Sequence, residues 1–275
     1  MTFLSPAQKA LREAGVENAL QEGRWMEELL PRESARRGLS PDLLREEWLR
    51  RRCGGEPFQY VVGSVEFHQV ELRVGPGTLI PRPETELLVD RALSLLQTVP
   101  PGEDVLDLCT GSGAIPLALA HLRPDLHFWG VDLSPEALAW ASQNCALLQS
   151  QEACRFLQGD LFAPLPSHLR FPLITANPPY VSPEEYRQLP PEILDYEPRM
   201  ALEAQEEGLA LEREIVIQAR HWLKPGGTLL LEMGETQGPS LQKILQDNGF
   251  VDVKILQDLT GRDRFAEGKS PAQAE

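Results

Sequence analysis

Along the first sixty-odd residues the apolar positions recur at helical spacing. Ser5-Pro6 and Ser40-Pro41 each place a capping hydroxyl ahead of a proline at the first helical position. After Ser40, residues Leu43, Leu44, Trp48 and Leu49 fall on one predicted helical face, and Cys53-Gly54-Gly55 ends the run. This pattern predicts a small helical module for packing or partner recognition, without chemistry of its own. From Val65 to Val74 the pattern becomes an alternation, as in a strand or hairpin, until Gly75-Pro76-Gly77 breaks it. A proline-stiffened stretch, Leu79–Glu86, then leads into a helix carrying Leu87, Leu88, Ala92, Leu95 and Leu96.

From Asp104 onward, strands and helices alternate. Strands are predicted at Val105–Cys109, Phe128–Val131, Cys154–Leu157, Leu173–Ala176 and Thr228–Met233, with weaker ones near Val251–Leu256 and Arg264–Ala266. A helix follows Gly113 as far as His121, and Ser134-Pro135-Glu136 caps another that runs to about Leu148. The fold class expected is α/β, a mostly parallel, doubly wound sheet with helices on both faces. Three segments are expected: a helical domain over 1–64, a strand or hairpin linker over 65–83 and the α/β domain over 84–275. Ligands of such sheets bind at the carboxyl ends of the strands, beside the topological switch point.

Composition narrows the classes. Of 275 residues, 42% are hydrophobic and 24% charged, which is ordinary for a globular protein and argues against disorder. No apolar run approaches the roughly 18–20 residues of a membrane helix, and the first fifteen residues do not read as a secretory signal, so no membrane partner is expected. Cys53, Cys109, Cys145 and Cys154 form no CxxC pair and read as reduced thiols of a cytoplasmic protein. The net charge of −15 is unevenly spread. Residues 1–65 hold ten basic and ten acidic side chains, so the remainder carries all of it. Such acidity disfavours non-specific nucleic-acid binding, and no stable nucleic-acid partner is expected. Arg50-Arg51-Arg52 reads as a solvated helix end, where cations are favoured.

The cofactor end begins at Asp107-Leu108-Cys109-Thr110-Gly111-Ser112-Gly113, between the first strand and a helix. Glycine there lets a ligand lie against backbone at a helix N-terminus. Pro116 stands where a dinucleotide fingerprint would have its third glycine, so phosphate cradling is not supported. Asp132, at the end of the second strand, is placed to accept from both ribose hydroxyls. Asp160 ends the third strand and is placed to face an adenine ring, with Leu161 packing on it. A Gly-Ser-Gly turn alone says little. Set in order with Asp132 and Asp160 at successive strand ends, it points to a nucleoside-bearing cofactor and is similar to the pattern of class I S-adenosylmethionine-dependent methyltransferases. Their cofactor has no phosphates.

The fourth strand ends in Asn177-Pro178-Pro179-Tyr180. Consecutive prolines remove two N–H donors and push the residue before each toward extended geometry. The Asn177 side-chain oxygen and the Pro178 carbonyl become two fixed acceptors for a substrate –NH2, with Tyr180 as an aromatic wall. No histidine pair has metal-ligand spacing, so no metal is expected, and no G-x-S-x-G nucleophile signature occurs. Methyl transfer to a held nitrogen needs positioning more than acid–base chemistry. By itself this box fits an adenine exocyclic-amine methyltransferase acting on DNA or RNA as well as a glutamine-amide methyltransferase.

Further motifs separate these readings. Glu56–Gly63 (EPFQYVVG), Leu79–Glu86 (LIPRPETE), the Asp107–Ile115 segment, the Asn177 box, Tyr196-Glu197-Pro198, Lys224–Gly227 with Glu232-Met233-Gly234, and Asp258–Arg264 (DLTGRDR) occur in that order. Together they closely resemble the HemK/PrmC family, the N5-glutamine methyltransferases of class 1 peptide chain release factors. The resemblance implies that the glutamine of a Gly-Gly-Gln loop is gripped by Asn177 and Pro178 and flanked by Pro179 and Tyr180. It implies that S-adenosylmethionine lies on Cys109–Gly113, Asp132, Asp160 and Leu161, with Asn177 also in contact. Arg82–Glu84 would roof the pocket, and the N-terminal module of an expected monomer would help dock the release factor. Two positions depart from the family: Cys109 stands where glycine is usual, and Leu161 where many members have tryptophan.

Overall fold

The computed structural model describes residues 4–272. In chain order the elements are helices α1 (Pro6–Glu13), α2 (Ala19–Arg37), α3 (Pro41–Cys53) and α4 (Phe58–Val62), then strands β1 (Ser64–Phe67) and β2 (Val70–Arg73) and helix α5 (Pro83–Leu96). Next come β3 (Asp104–Leu108), α6 (Ala114–Leu122), β4 (His127–Asp132), α7 (Pro135–Leu147), β5 (Cys154–Gln158) and β6 (Phe171–Ala176). Three short or amphipathic helices, α8 (Pro183–Tyr186), α9 (Pro191–Tyr196) and α10 (Ala210–Trp222), precede β7 (Leu223–Glu232), α11 (Gly238–Asp247), β8 (Val251–Gln257) and β9 (Asp263–Lys269). The chain divides into two compact units, Met1–Ser64 with Pro190–Tyr196, and Val65–Leu189 with Glu197–Glu275.

In the helical unit, Ser5 and Ser40 cap α1 and α3 through their hydroxyls, each followed by proline. Leu11, Met26, Leu30, Leu44, Trp48 and Val61 form its core. Leu43, expected on the inner face of α3, is instead 60% exposed. It directly precedes Leu44, and adjacent helical residues point about 100° apart, so both cannot face one core. The arginine triplet also departs from a solvated helix end. Only Arg50 is exposed. Arg52 is buried and bonds both oxygens of Glu22 at 2.6 and 3.0 Å and Glu192 of α9 at 2.9 Å. Arg51 pairs with Glu56 and donates to the Tyr60 and Val61 carbonyls. Planar guanidinium forks match carboxylates and carbonyls, so here they tie helices together.

The second unit is built on a seven-stranded sheet of order β5-β4-β3-β6-β7-β9-β8. The pairs along β5 to β7 are parallel, while β9 runs antiparallel to both β7 and β8. The mostly parallel sheet expected from the alternation of elements is present, closed by an antiparallel edge. From β3 the chain moves outward through β4 to β5, then returns across β3 to β6, which puts the switch point between β3 and β6. The stretch from Val65 to Val74 is a hairpin, β1 paired with β2, turning through His68 and Gln69, both at positive φ. Two apolar clusters fill the unit. One includes Leu106, Ile174, Leu229 and Ile215, the other Val105, Leu117, Phe128 and Leu88.

Candidate active site

Strand register decides which side chains meet. Leu108 lies opposite both Val131 and Ala176, Asp132 opposite Gln158, and Ala176 opposite Leu231. The residues that follow, Cys109, Gly159, Asn177 and Glu232, therefore emerge at one rim of the sheet. The Thr110 N–H donates to the Val131 carbonyl at 3.0 Å, and the Gly159 N–H to the Asp132 carbonyl at 3.0 Å, which holds the loops against each other. The fully buried Asn144 of α7 bonds the Ser112 carbonyl and both backbone groups of Arg73, clamping the glycine loop from behind.

A cavity of about 1050 Å³, measured with its open mouth, occupies this rim. Among the predicted residues it is lined by Cys109, Thr110, Gly111, Ser112, Asp132, Asp160, Leu161, Asn177 and Pro179. Gly113 is just outside the lining. At φ 80 it begins α6, and a Cβ there would stand 3.0–3.2 Å from Phe156, Leu117 and Ala141, so it serves helix packing. Pro116 sits in the first turn of α6, where a missing N–H costs nothing. Pro178 and Tyr180 line a smaller pocket of about 270 Å³ with Leu79, Arg82 and Val181. Asn177 lines both cavities. The residues read as cofactor-binding and those read as substrate-binding thus meet at Asn177, and Pro179, read as flanking the substrate, faces the larger cavity instead of the smaller one.

Asp132 is held in place before any ligand binds. Its Oδ2 accepts from the Gly111 N–H at 2.8 Å and its Oδ1 from the Ser134 N–H at 2.9 Å. Burial raises its pKa, and these backbone donors act in the opposite sense. A carboxylate has about four acceptor positions, so lone pairs remain for a vicinal diol. Apolar Leu133, Leu161, Ile115 and Ala137 flank this carboxylate in the cavity wall. No lysine, arginine or histidine is among the described residues that line it. The acid at its rim and the apolar wall suit a ribose-bearing cofactor that carries a positive charge.

The Asn177–Tyr180 corner is buttressed by residues to which the sequence motifs assign no role, Thr85, Glu197 and Glu232 among them. Asn177 Nδ2 donates to Thr85 Oγ1 at 3.1 Å, and the Thr85 hydroxyl bonds Glu232 Oε2 at 2.7 Å. The Tyr180 hydroxyl donates to Glu232 Oε1 at 3.3 Å. Burial pushes Glu232 up to about 7, against the lowering by Thr85, Arg264 and Tyr180, and burial together with Glu232 also raises the Tyr180 phenol. Glu197, with its side chain only 1% exposed, accepts from Arg82 at 2.6 Å and from the Ile80 N–H at 3.1 Å, and so fixes Arg82 over the smaller pocket. Gln237 donates to the Tyr180 and Glu207 carbonyls. Gly208 passes so close to Tyr180 that a Cβ would stand 2.0 Å from its carbonyl oxygen. Gln237 and Gly208 carry no local sequence signal, since they act on residues 28 or more positions away. Glu232 does carry one: an acid ending the run Leu229-Leu230-Leu231, where a buried strand reaches the rim.

A family model described as a methyltransferase domain matches residues 100–264. The relative from Thermodesulfovibrio yellowstonii, named release factor glutamine methyltransferase, is 41% identical over 217 residues, 78% of this chain and 77% of its own. Relatives of the same name from Vibrio cholerae (43% over 227 residues; 82% and 78%) and Geobacter sulfurreducens (36% over 277 residues; 94% and 92%) agree. The chain belongs to the release factor glutamine methyltransferase family. Among solved structures it is similar to a methyltransferase from Pyrococcus furiosus (TM-score 0.53, 17% identity, 73% of this chain and 88% of that one). It is also similar to the 16S rRNA N2 G1207 methyltransferase of Thermus thermophilus (TM-score 0.55, 19% identity, 75% and 49%). At such identity these structures speak for the fold alone, which is that of class I S-adenosylmethionine-dependent methyltransferases.

The two departures from the family now have geometry. Cys109 sits at φ 55, the left-handed region that glycine enters freely and that costs an L-residue about 1–2 kcal/mol. The glycine that the family resemblance implies here would take this conformation without that strain. Leu161, also at positive φ, is 7% exposed and keeps an apolar face toward the cavity. The Cys109 thiol is pushed well up by burial and by Asp132, Asp107, Glu212 and Asp160, which makes it a poor nucleophile despite its position. Iodoacetamide at neutral pH is accordingly expected to alkylate exposed Cys53 at least about 10-fold faster than Cys109, Cys145 or Cys154. Peptide mass spectrometry over a labelling time course checks this, and Cys109 labelled as fast as Cys53 would contradict it.

Proposed function

We infer that this chain transfers a methyl group from S-adenosylmethionine to the side-chain amide nitrogen of the Gly-Gly-Gln glutamine in class 1 peptide chain release factors. The observation that carries the reading is the position of Asn177, shared by the large strand-end cavity beside Asp132 and a smaller pocket lined by Pro178 and Tyr180. Family membership supports the substrate class. Among the described residues, the Asn177 Oδ1 and the Pro178 carbonyl take no protein donor, which leaves both for the two hydrogens of a carboxamide nitrogen. Asp132 would hold the ribose hydroxyls, and Leu161 and Leu133 would flank the adenine. The bound cofactor supplies an electrophilic methyl on a sulfonium.

The protein's part is positional and electrostatic. An amide nitrogen is a weak nucleophile because its lone pair is delocalised into the carbonyl. Acceptors on both of its hydrogens favour positive charge developing there as the N–C bond forms and the S–C bond breaks. Holding the nitrogen at the mouth of the cofactor cavity converts an encounter into a local step. One N–H proton then leaves the methylated nitrogen to water, because the Asn177 amide and the Pro178 carbonyl hold it without being bases strong enough to keep it. The helical unit, with its own core, is the docking module of this reading.

The test is incubation with labelled cofactor and a class 1 release factor, beside DNA and tRNA. A mass increment of one methylene on the Gly-Gly-Gln peptide is expected. Label in nucleic acid alone would support the adenine-amine alternative instead.

A further inference from the structure

An asparagine side chain can serve an –NH2 substrate only if its oxygen faces the pocket. Turned by half a rotation about χ2, the same carboxamide offers its own NH2 to the substrate's NH2, donor against donor. Packing alone distinguishes the two poorly, because O and N are nearly the same size. Some group must therefore read the far end of the Asn177 carboxamide.

We propose that Thr85 and Glu232 are positioning residues that set which end of the Asn177 carboxamide meets the substrate. The proposal rests on the methyltransferase reading above and deepens it. Glu232 stands one residue beyond Leu231, the register partner of Ala176, so it ends its strand beside Asn177. It is 1% exposed, and its two oxygens have separate tasks: Oε1 accepts from the Tyr180 hydroxyl and Oε2 faces the Thr85 hydroxyl. An ionised carboxylate can only accept, so Thr85 must donate its single hydrogen to Glu232. That leaves only lone pairs on Thr85 Oγ1, and a lone pair can bind only the NH2 end of Asn177. The chain of bonds Asn177 Nδ2 to Thr85 Oγ1 (3.1 Å) and Thr85 Oγ1 to Glu232 Oε2 (2.7 Å) thus runs in one direction. Its consequence is that Asn177 Oδ1 faces outward. Directionality passes from a charge to a neutral amide across one hydroxyl, as expected of a buried hydrogen-bond network in which every member is oriented by the next.

The groups facing Glu232 come from four elements: Thr85 and Glu84 on α5, Tyr180 on the proline loop, Arg264 on β9, and the strand end β7 itself. Protonated Glu232 can donate to Thr85, which frees the Thr85 hydrogen to donate in turn to a reversed Asn177. A group raised to about 7 gives a function present above that value and lost as pH falls through it.

The test measures kcat, KM for the release factor and cofactor Kd for wild type, Thr85→Val, Thr85→Ser and Glu232→Gln. Valine keeps the shape of threonine without the hydroxyl, whereas serine keeps the hydroxyl. Expected are a fall in kcat of about 30-fold or more for Thr85→Val and Glu232→Gln, a fall of less than about 3-fold for Thr85→Ser, and cofactor Kd within about 3-fold throughout. The wild-type pH profile should fall below about pH 7, and the residual activity of Glu232→Gln should lack that limb. Turnover of Thr85→Val at the wild-type level, equal losses in Thr85→Ser and Thr85→Val, or an acid limb retained in Glu232→Gln would each overturn the proposal. Because every variant is scored against wild-type turnover, failure of the relay is distinct from failure of the substrate assignment, which would show as an inactive wild type.

Discussion

Asn177→Ala is expected to lower kcat on a release factor by about 10²–10³-fold, the size seen when one preorganised polar partner of a developing charge is removed. Cofactor Kd should stay within about 3-fold, under roughly 1 kcal/mol, because Asp132 and the apolar wall carry that affinity. The asymmetry follows from where Asn177 stands. It lines the larger cavity and the smaller pocket alike, and with its NH2 end held by Thr85 its oxygen is left for the substrate. Alanine leaves the Pro178 carbonyl as a single acceptor for two hydrogens, so the nitrogen can be bound but not aimed. Titration calorimetry with cofactor and single-turnover kinetics with release factor separate the two effects. Equal losses in affinity and turnover would mean that Asn177 holds the cofactor instead of the substrate.

Asp132→Asn is expected to do the reverse, weakening cofactor binding by about 10- to 100-fold. Hydrogen bonds to a charged group contribute about 1.5–3 kcal/mol, and about 1.4 kcal/mol is a factor of ten. Each carboxylate oxygen already accepts one backbone N–H, from Gly111 and Ser134. An amide retains one acceptor and sets an NH2 against the other backbone donor. The glycine loop must then shift, and thermal unfolding should report a loss of about 1–3 kcal/mol in the absence of cofactor. At saturating cofactor, kcat should change little, since Asp132 does not line the pocket of Pro178 and Tyr180. A wild-type Kd for Asp132→Asn would remove Asp132 from the cofactor site.

Much of this molecule was legible in the chain because its signals are local. Capping serines followed by proline mark the starts of α1, α3 and α7, and apolar runs mark β3, β4, β6 and β7. Both weaker strand expectations, near Val251 and Arg264, correspond to β8 and β9. Illegible features depend on partners far away in sequence. Arg52 reads as a surface charge until Glu22 and Glu192 are placed beside it. Helices α8 and α10, by contrast, carry local signals of their own, a capping Ser182-Pro183 ahead of α8 and the helical spacing of Glu212, Ile215, Val216 and Ala219 in α10.

What the amino-acid sequence determined by itself is the order of the strands, the glycine turn, the acids at strand ends and the donor-free Asn-Pro-Pro corner. Each follows from backbone sterics and hydrophobic periodicity acting over a few residues. Only the tertiary structure decided that Cys109, Asp132, Asn177 and Glu232 share one rim, because strand register is a long-range property of the sheet. Through that register Thr85 and Glu232 reach the far end of the Asn177 carboxamide, and the direction of a hydrogen bond depends on both of its ends.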